Sequence, residues 1–465
     1  MTKEFLKNRT FDELQPGDAA SLVRIVGRDD IDLFAAVSGD VNPAHLDATF
    51  AATDLFGHIV AHGMWTAALI SAVLGTKLPG PGTIYLGQDL KFLKPVAPGD
   101  TVTASVTVRE KKAGKRIVIL ETECTNQDGE QVLAGAATVI APDTTIEWPR
   151  TALPDVSLRR HDRFDGYVKQ ARDSGIIPAA IVHPCSPEAV IAAIEVYEQY
   201  LLKPVLIGPE AKIRAAAEAA QVSIDDLEIV NTPHSHAAAE RAVEMASAGK
   251  VGMLVKGSLH TDELLSAVVA RGSPLRTERR ISHVYAIDVP AYAKPLVITD
   301  AAVNIQPNLN DKRDICQNAI DFLLRLGYEE PLVAVLAAVE TVNEKMQATL
   351  DAAALTVMAA RGQITGARVD GPLAFDNAIS PEAAATKHIV SPVAGRPDVL
   401  VVPDIEAGNM LAKQLTFLAG ADAGGLVLGA RVPIVLTSRA DSILSRRVSA
   451  ALAEAAAAAG VGLRK

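Results

Sequence analysis

Residues 38–51 read SGDVNPAHLDATFA, and the front of the chain is organised around them. Pro43 fixes its own φ and pushes Asn42 toward an extended conformation. A loop so shaped brings Asp40 and His45 together, and both can hold and move a proton. Hydration of an enoyl thioester calls for such a pair: a positioned water, a base to take its proton, and an acid to protonate the neighbouring carbon. An isolated Asp and His would more often be a helix cap and a surface side chain. The length of the string is what favours chemistry.

On the N-terminal side, Gly17-Asp18 marks a turn and SLVRIVGRDD an opening strand, and Asp29 or Asp30 caps a short helix through IDLFAAVSG. On the C-terminal side, AHGMWTAALISAVLGTKL reads as one helix from Val60 to near Gly75. It is apolar on most sides, which predicts burial. Strand-like runs follow: TIYLGQDLKFLKPV, DTVTASVTVREKK, KRIVILETECTN and QVLAGAATVI. Asp128-Gly129 is a hairpin signal, Gly114 a second turn, and Pro95 and Pro98 end the first run. A buried helix wrapped by a curved antiparallel sheet is the hot-dog architecture. His62-Gly63-Met64 opens the helix. There Gly63 either lets a thioester carbonyl approach free N–H groups at the positive end of the helix dipole or only permits close helix–strand packing, with His62 a satisfied core residue. Such a fold leaves a sheet edge open, so pairing with another copy or with a second such fold is expected.

The string resembles the signature of MaoC-like, (R)-specific enoyl-CoA hydratases, G-D-x-N-P-x-H-x-D followed by an aromatic and Ala. Gly39, Asp40, Asn42, Pro43, His45, Asp47, Phe50 and Ala51 fit it. The resemblance implies that Asp40 and His45 are the catalytic pair, that Asn42 shapes the site, and that Gly63 contributes an amide. The implied reaction adds water to a trans-2-enoyl-CoA, giving the (R)-3-hydroxyacyl thioester.

At 465 residues the chain exceeds one ordinary core. Apolar residues are 49% and charged residues 22%, a globular balance, while aromatics are only 4%, which favours α/β layers with small helix–sheet contacts. A net charge of −10 argues against a general nucleic-acid surface but leaves room for a local cationic pocket. Cys124, Cys185 and Cys316 are far apart, without metal or disulfide spacing. MTKEFLKNRTFDEL has no apolar signal core and no run is long enough to span a bilayer. The expectation is a cytoplasmic enzyme that binds neither membrane nor nucleic acid.

From residue 141, APDTTIEWPRTALPDVSLRRHDRFDGY has no sustained period and reads as a linker, with Trp148 a candidate anchor. The expected organisation is a front domain over 1–145, a linker over 146–164 and a second domain over 165–465. In the second domain AAIVH, PVLIG, LEIV and VGMLVKG alternate with helical stretches. ISHVYAIDV, PLVITDAAV, PLVAVLAAV, DVLVVPDI, GLVLG and PIVLTS are later strands. The pattern means a mostly parallel sheet covered on both faces, with the ligand crevice at the carboxyl ends of strands. Polar residues fall at strand ends: Lys256, Asp300, Asn304, Glu340, Asp404, Ser438 and Arg439 follow strands, Ser282 and His283 open the strand VYAIDV, and Asn409 and Lys413 lie on the helix after Asp404. Each alone reads as a cap, a turn former or a surface charge, and His283 equally as a buried core residue. There is no G-x-G-x-x-G and no Walker A string, so hydride transfer is unsupported.

LVKGSLHTDELL, RRISHVYAID, ITDAAVNIQPNL, DGPLAFDNAIS, VPDIEAGNMLAKQL and PIVLTSRADS, in that order, resemble the phosphate acetyl/butyryltransferase family. The S-R-A-D-S ending is closer to the butyryltransferase variants than to the S-R-G-C of many acetyltransferases. The resemblance implies an isopropylmalate dehydrogenase-like α/β architecture and reversible acyl transfer between coenzyme A and inorganic phosphate. No tightly bound cofactor or metal is implied; CoA thioesters and phosphate are substrates. Arg439 is the candidate clamp for phosphate or the CoA pyrophosphate, because its fork matches phosphate geometry. Ser438 is a candidate oxyanion donor, and Asp441 orients Arg439 or takes a thiol proton. Lys256 and Arg276 are further anion-binding candidates. Two alternatives for the rear domain are a decarboxylating dehydrogenase, for which no aspartate–metal cluster or nicotinamide site can be assembled, and an inactive scaffold or acyl-CoA sensor.

Overall fold

The computed structural model of the chain describes residues 4–152, 156, 158, 163–174, 176–199, 201–436 and 442–458. It divides into two compact units, Met1–Leu158 and Arg159–Lys465.

The first unit is built on alternation. In the strand Thr101–Lys112, Val102, Ala104, Val106 and Val108 are buried while the residues between them face away. That strand belongs to a five-stranded antiparallel sheet in the order Ala19–Ile25, Thr101–Lys112, Ile117–Thr125, Gln131–Ile140, Ile84–Phe92. Its apolar face packs on the helix Gly63–Thr76, through Leu69, Ile70, Val73 and Leu74. This is the hot-dog architecture. Local details differ from expectation. The helix starts at Gly63, because His62 is extended (φ −58°, ψ 132°) and serves as its cap. It is not buried all round: Met64, Ala68, Ser71 and Gly75 form an exposed stripe. Gly27, not an aspartate, precedes the helix Arg28–Ser38, and Asp30 Oδ2 accepts from the Gly27 N–H at 2.8 Å. The second hairpin turns through Ala113–Lys115, which contains Gly114, and Arg116 (φ 54°) closes it.

Residues 144–149 fold into the first unit instead of forming a linker. Glu147–Pro149 pairs antiparallel with Phe5–Lys7. Asn8 Oδ1 accepts from Ile146 N at 2.8 Å, and its Nδ2 donates to the Thr144 carbonyl at 2.9 Å. Trp148 is 67% exposed, so backbone pairing rather than its ring ties this stretch down.

The second unit is an eleven-stranded sheet. One half runs Glu228–Asn231, Leu202–Gly208, Ile177–Val182, Met253–Lys256, Ile434–Val435, all parallel. The other half runs Leu296–Thr299, Val399–Val401, Leu332–Leu336, Arg368–Leu373, also parallel. Between them, Asp422–Leu428 and Ser282–Asp288 join the halves through antiparallel pairings. Alternate residues of one strand feed different cores, Ala179 and Ile181 one, Ala180 and Val182 another, so both faces are covered. The edge strand Arg368–Leu373 was not expected. Gly371 and Pro372 break its pattern, which an edge position tolerates.

Candidate active sites

In the first unit, Asn42 caps the short helix Pro43–Leu46, its Oδ1 accepting from Ala44 N at 3.1 Å. Asp47 then caps Ala48–Ala51 through Thr49 N and Phe50 N, at 2.8 and 3.1 Å. This double turn presents His45. Its Nδ1 lies 2.7 Å from the Val60 carbonyl. A carbonyl oxygen can only accept, so the proton is on Nδ1 and the lone pair on Nε2. His62 Nε2 donates in the same way to the Asp40 carbonyl at 3.0 Å. Its ring lies against that of His45, centroids 3.9 Å apart, and against Phe34 at 5.0 Å. Two main-chain carbonyls thus fix two imidazoles and hold the backbone of residue 40. Asp40, His45 and His62 each place a donor atom within 4.8 Å of the others, a spacing that would also admit a metal ion. Asp40 is exposed and His45 half-buried, so the pair is reachable.

Gly63 begins the central helix beside this pair, where N–H groups have no intrahelical acceptor. A Cβ at Gly63 would lie 2.9 Å from the Phe92 ring. Met64 and Phe92 are both more than half exposed and form an apolar rim. His62 is the residue whose role the sequence undervalued. Its partner is a backbone carbonyl, and no side-chain pattern announces that.

In the second unit, Asp300 is buried and organises the loop behind it. Its carboxylate accepts from the N–H groups of Ala302, Val303 and Asn304 at 2.9, 3.0 and 3.2 Å and from Asn304 Nδ2 at 2.5 Å. Burial pushes its carboxyl pKa up, against the pull of those donors. Asn304 in turn accepts from Arg280 Nε at 2.7 Å. Asn409 Nδ2 reaches the Ala301 carbonyl at 3.2 Å, and Lys413 is exposed one turn further along the helix Ile405–Phe417. Arg276, Arg279 and Arg280 line one cleft with Val303, Asp311 and Asp314. Arg276 is exposed and forms no ion pair with a described residue. The structure therefore gathers Asp300, Asn304, Arg280 and Asn409, with Asp300 a shaping residue behind the arginines rather than a group facing ligand.

Ser282 and His283 depart from expectation. Ser282 is fully buried and its Oγ accepts from Asn318 Nδ2 at 2.9 Å. His283 is 2% exposed against Tyr285, and burial pushes its pKa down to about 3, so it stays neutral. Their strand is central, and both of its faces are core. Lys256 ends the strand Met253–Lys256, with Nζ donating to the Leu259 carbonyl at 3.2 Å. At Gly257 a Cβ would lie 2.5 Å from the Val182 carbonyl, so only glycine fits this crossing. Ser258, which sequence reasoning passed over, has a buried Oγ without a hydrogen-bond partner among the described residues. Ser438, Arg439 and Asp441 lie outside the described residues.

Residues 12–128 match the family model of the MaoC like domain, and residues 235–454 match that of phosphate acetyl/butaryl transferase. A fused acyl-CoA enzyme of two modules is the class these matches define. Over 291 residues the chain is 56% identical to the phosphate acetyltransferase of Rhizobium meliloti, covering 63% of this chain and 92% of that one. Among solved structures, it resembles a branched-chain phosphotransacylase from Enterococcus faecalis V583 at 31% identity and a TM-score of 0.54, over 60% of this chain and 98% of that one. An unliganded R-hydratase from Pseudomonas aeruginosa is 44% identical, over 34% of this chain and all of that one, with a TM-score of 0.33. The chain belongs to the phosphate acetyl/butyryltransferase family and carries a MaoC-like domain at its front.

Proposed function

We propose that the chain is a bifunctional acyl-CoA enzyme, a hydratase in its first unit and a phosphate acyltransferase in its second. The hydratase reading rests on one observation: His45 has Nδ1 tied to the Val60 carbonyl and Nε2 without a hydrogen bond among the described residues, with the Asp40 carboxylate beside it. A water held between the two loses its proton to this pair as its oxygen bonds to C3 of a trans-2-enoyl-CoA. The proton goes to C2, and the (R)-3-hydroxyacyl thioester results. The negative charge that builds on the thioester oxygen meets the N–H end of the helix at Gly63. His62 positions residue 40 and supports the His45 ring. The mechanism needs proton transfer alone, so we read the Asp40–His45–His62 group as a proton site and not a metal centre.

In the second unit a phosphate oxygen attacks the thioester carbonyl, the C–O bond forms, the C–S bond breaks, and the thiolate leaves to take a proton. Positioning and charge neutralisation carry such a step more than a protein nucleophile does. Arg276, Arg280, Lys256 and Arg439 are the cations we assign to phosphate and CoA, with Ser438 donating to the oxyanion and Asp441 orienting Arg439. No tightly bound cofactor is required. Among the described residues no helix is long and apolar enough to cross a membrane, and we place the enzyme in the cytoplasm. The exposed edge strand Ile84–Phe92 and the helix stripe at Met64, Ala68 and Ser71 favour a homo-oligomer. The deciding assay supplies the intact protein with crotonyl-CoA, and separately with acetyl- or butyryl-CoA plus phosphate. Loss of the crotonyl absorbance and appearance of acyl phosphate are expected. Failure of either removes that half of the reading.

A further inference from the structure

The helix Arg28–Ser38 supplies no group to the reaction proposed for the first unit, yet it reaches both members of the proton pair. Ile31 and Ala35 are buried and seat it on the unit. At its start, Arg28 Nη2 donates to the Leu46 carbonyl at 2.8 Å, one residue beyond His45. At its end, Ser38 Oγ donates to the Phe34 carbonyl at 2.7 Å and accepts from the Asp40 N–H at 3.2 Å. Between these ties three rings lie in a row. The Phe34 ring packs against that of His62, centroids 5.0 Å apart at 45°, and His62 packs against His45, 3.9 Å apart at 36°. Tilted contacts at such distances are the favoured ones for aromatic rings. His62 is 2% exposed, and among the described residues its ring makes a single hydrogen bond, from Nε2 to the Asp40 carbonyl; its Nδ1 is buried and has no partner there. A ring held at one atom can still turn about that bond. Rings packed against it stop the turn.

Resting on the hydratase reading, we propose that Phe34 is a positioning residue for hydration: it fixes the plane of His62, and through His62 the direction in which the His45 lone pair points. His45 is itself tied at one atom, Nδ1 to the Val60 carbonyl, so its plane too needs a second support. The His62 ring gives it that support, and Phe34 keeps the His62 ring in place. A base removes a proton from water only when its lone pair lies within reach and in line, and a misplacement of about 1 Å can cost about 10²-fold. Phe34 has no group that holds or moves a proton. Its effect reaches the reaction through the rings.

The test is kcat and KM for crotonyl-CoA hydration by the full-length protein and by Phe34→Leu, Phe34→Tyr, His62→Gln and the double variant Phe34→Leu/His62→Gln. Phe34 is half-buried, and leucine keeps its apolar contact while removing the ring. Phe34→Leu should lower kcat about tenfold with KM changed by less than about twofold, the scale of an aromatic contact. Phe34→Tyr, which keeps the ring, should restore kcat. His62→Gln keeps a donor for the Asp40 carbonyl but has no ring, and should lose at least as much. Adding Phe34→Leu to His62→Gln should then cost nothing further, because the ring it acted through is gone. An unchanged kcat in Phe34→Leu, a change in KM alone, no recovery in Phe34→Tyr, or losses that multiply in the double variant would each overturn the proposal and leave the hydratase reading in place. Melting curves establish that each variant is folded. If the wild type hydrates no enoyl-CoA, the hydratase reading fails instead. The row of rings is then tested by nitrogen-15 spectra of the imidazoles: a single Nδ1–H tautomer of His45 that becomes mixed in Phe34→Leu supports it, and identical spectra end it.

Discussion

At the scale of the residue, the front site depends on which nitrogen of His45 carries the proton. The Val60 carbonyl decides that, and it leaves Nε2 as a base. Asp40→Asn and His45→Gln should each lower crotonyl-CoA hydration by about 10³-fold, the scale of general acid–base contributions. Incubation with EDTA should leave hydration by the unaltered protein unchanged. A loss on chelation, restored by a divalent cation, would mean that the Asp40–His45–His62 group holds a metal. In the second unit Asp300 performs a structural task. Asp300→Ala would strand buried N–H donors of the following loop and destabilise the fold by about 2–4 kcal/mol, read from the urea midpoint. It should also weaken acyl transfer, because Arg280 loses the Asn304 contact that sets its side chain.

At the scale of the element, the helix Ile443–Ala458 carries a titration. Glu454 is fully buried on it, both carboxyl oxygens lack hydrogen-bond partners among the described residues, and burial pushes its pKa up to about 8. The folded state therefore keeps the proton over a range in which the unfolded chain, near 4.5, has lost it. The sign follows: the folded state binds more protons, so this group's contribution falls as pH rises from about 4.5 to about 8 and is flat above. Glu454→Gln should reduce the fall in urea midpoint between pH 6 and pH 8 and raise stability at pH 8. An unchanged slope would show that the carboxyl is ionised in the fold. The central helix Gly63–Thr76 teaches a related lesson. Its composition is apolar nearly all round, yet Met64, Ala68, Ser71 and Gly75 face out.

At the scale of the whole molecule, two compact units carry separate chemistry on one cofactor class. Arg439→Ala should impair acyl phosphate formation and spare hydration, while Asp40→Asn should do the reverse. Equal cross-effects on both activities would argue against independent sites. The open edge strand predicts self-association: light scattering should give a mass above that of one 48.9 kDa chain, and Leu86→Lys on that strand should reduce it. A monomeric wild type would mean that the edge is covered by other means.

Most of the fold was legible in the sequence because its signals are local. Period-two strands, the Asp128-Gly129 turn and the alternation of strands with helices depend on neighbours along the chain, and so does the loop that joins Asp40 to His45. The order of strands was not legible, nor the antiparallel pair that joins the two halves of the large sheet, since pairing between distant segments leaves no local mark. Trp148 and residues 144–149 looked like linker because their partners, Leu6 and Asn8, are far away in sequence. Burial likewise separated Asp300, which braces a loop, from Ser282 and His283, which fill a central strand, although all three follow the same strand-end pattern. Residue types and spacing determined which chemistry this protein could perform; tertiary structure alone decided which polar groups face solvent and which are spent on holding the backbone, because hydrogen bonds to main-chain carbonyls and the burial of side chains are fixed by segments that meet only in the folded state.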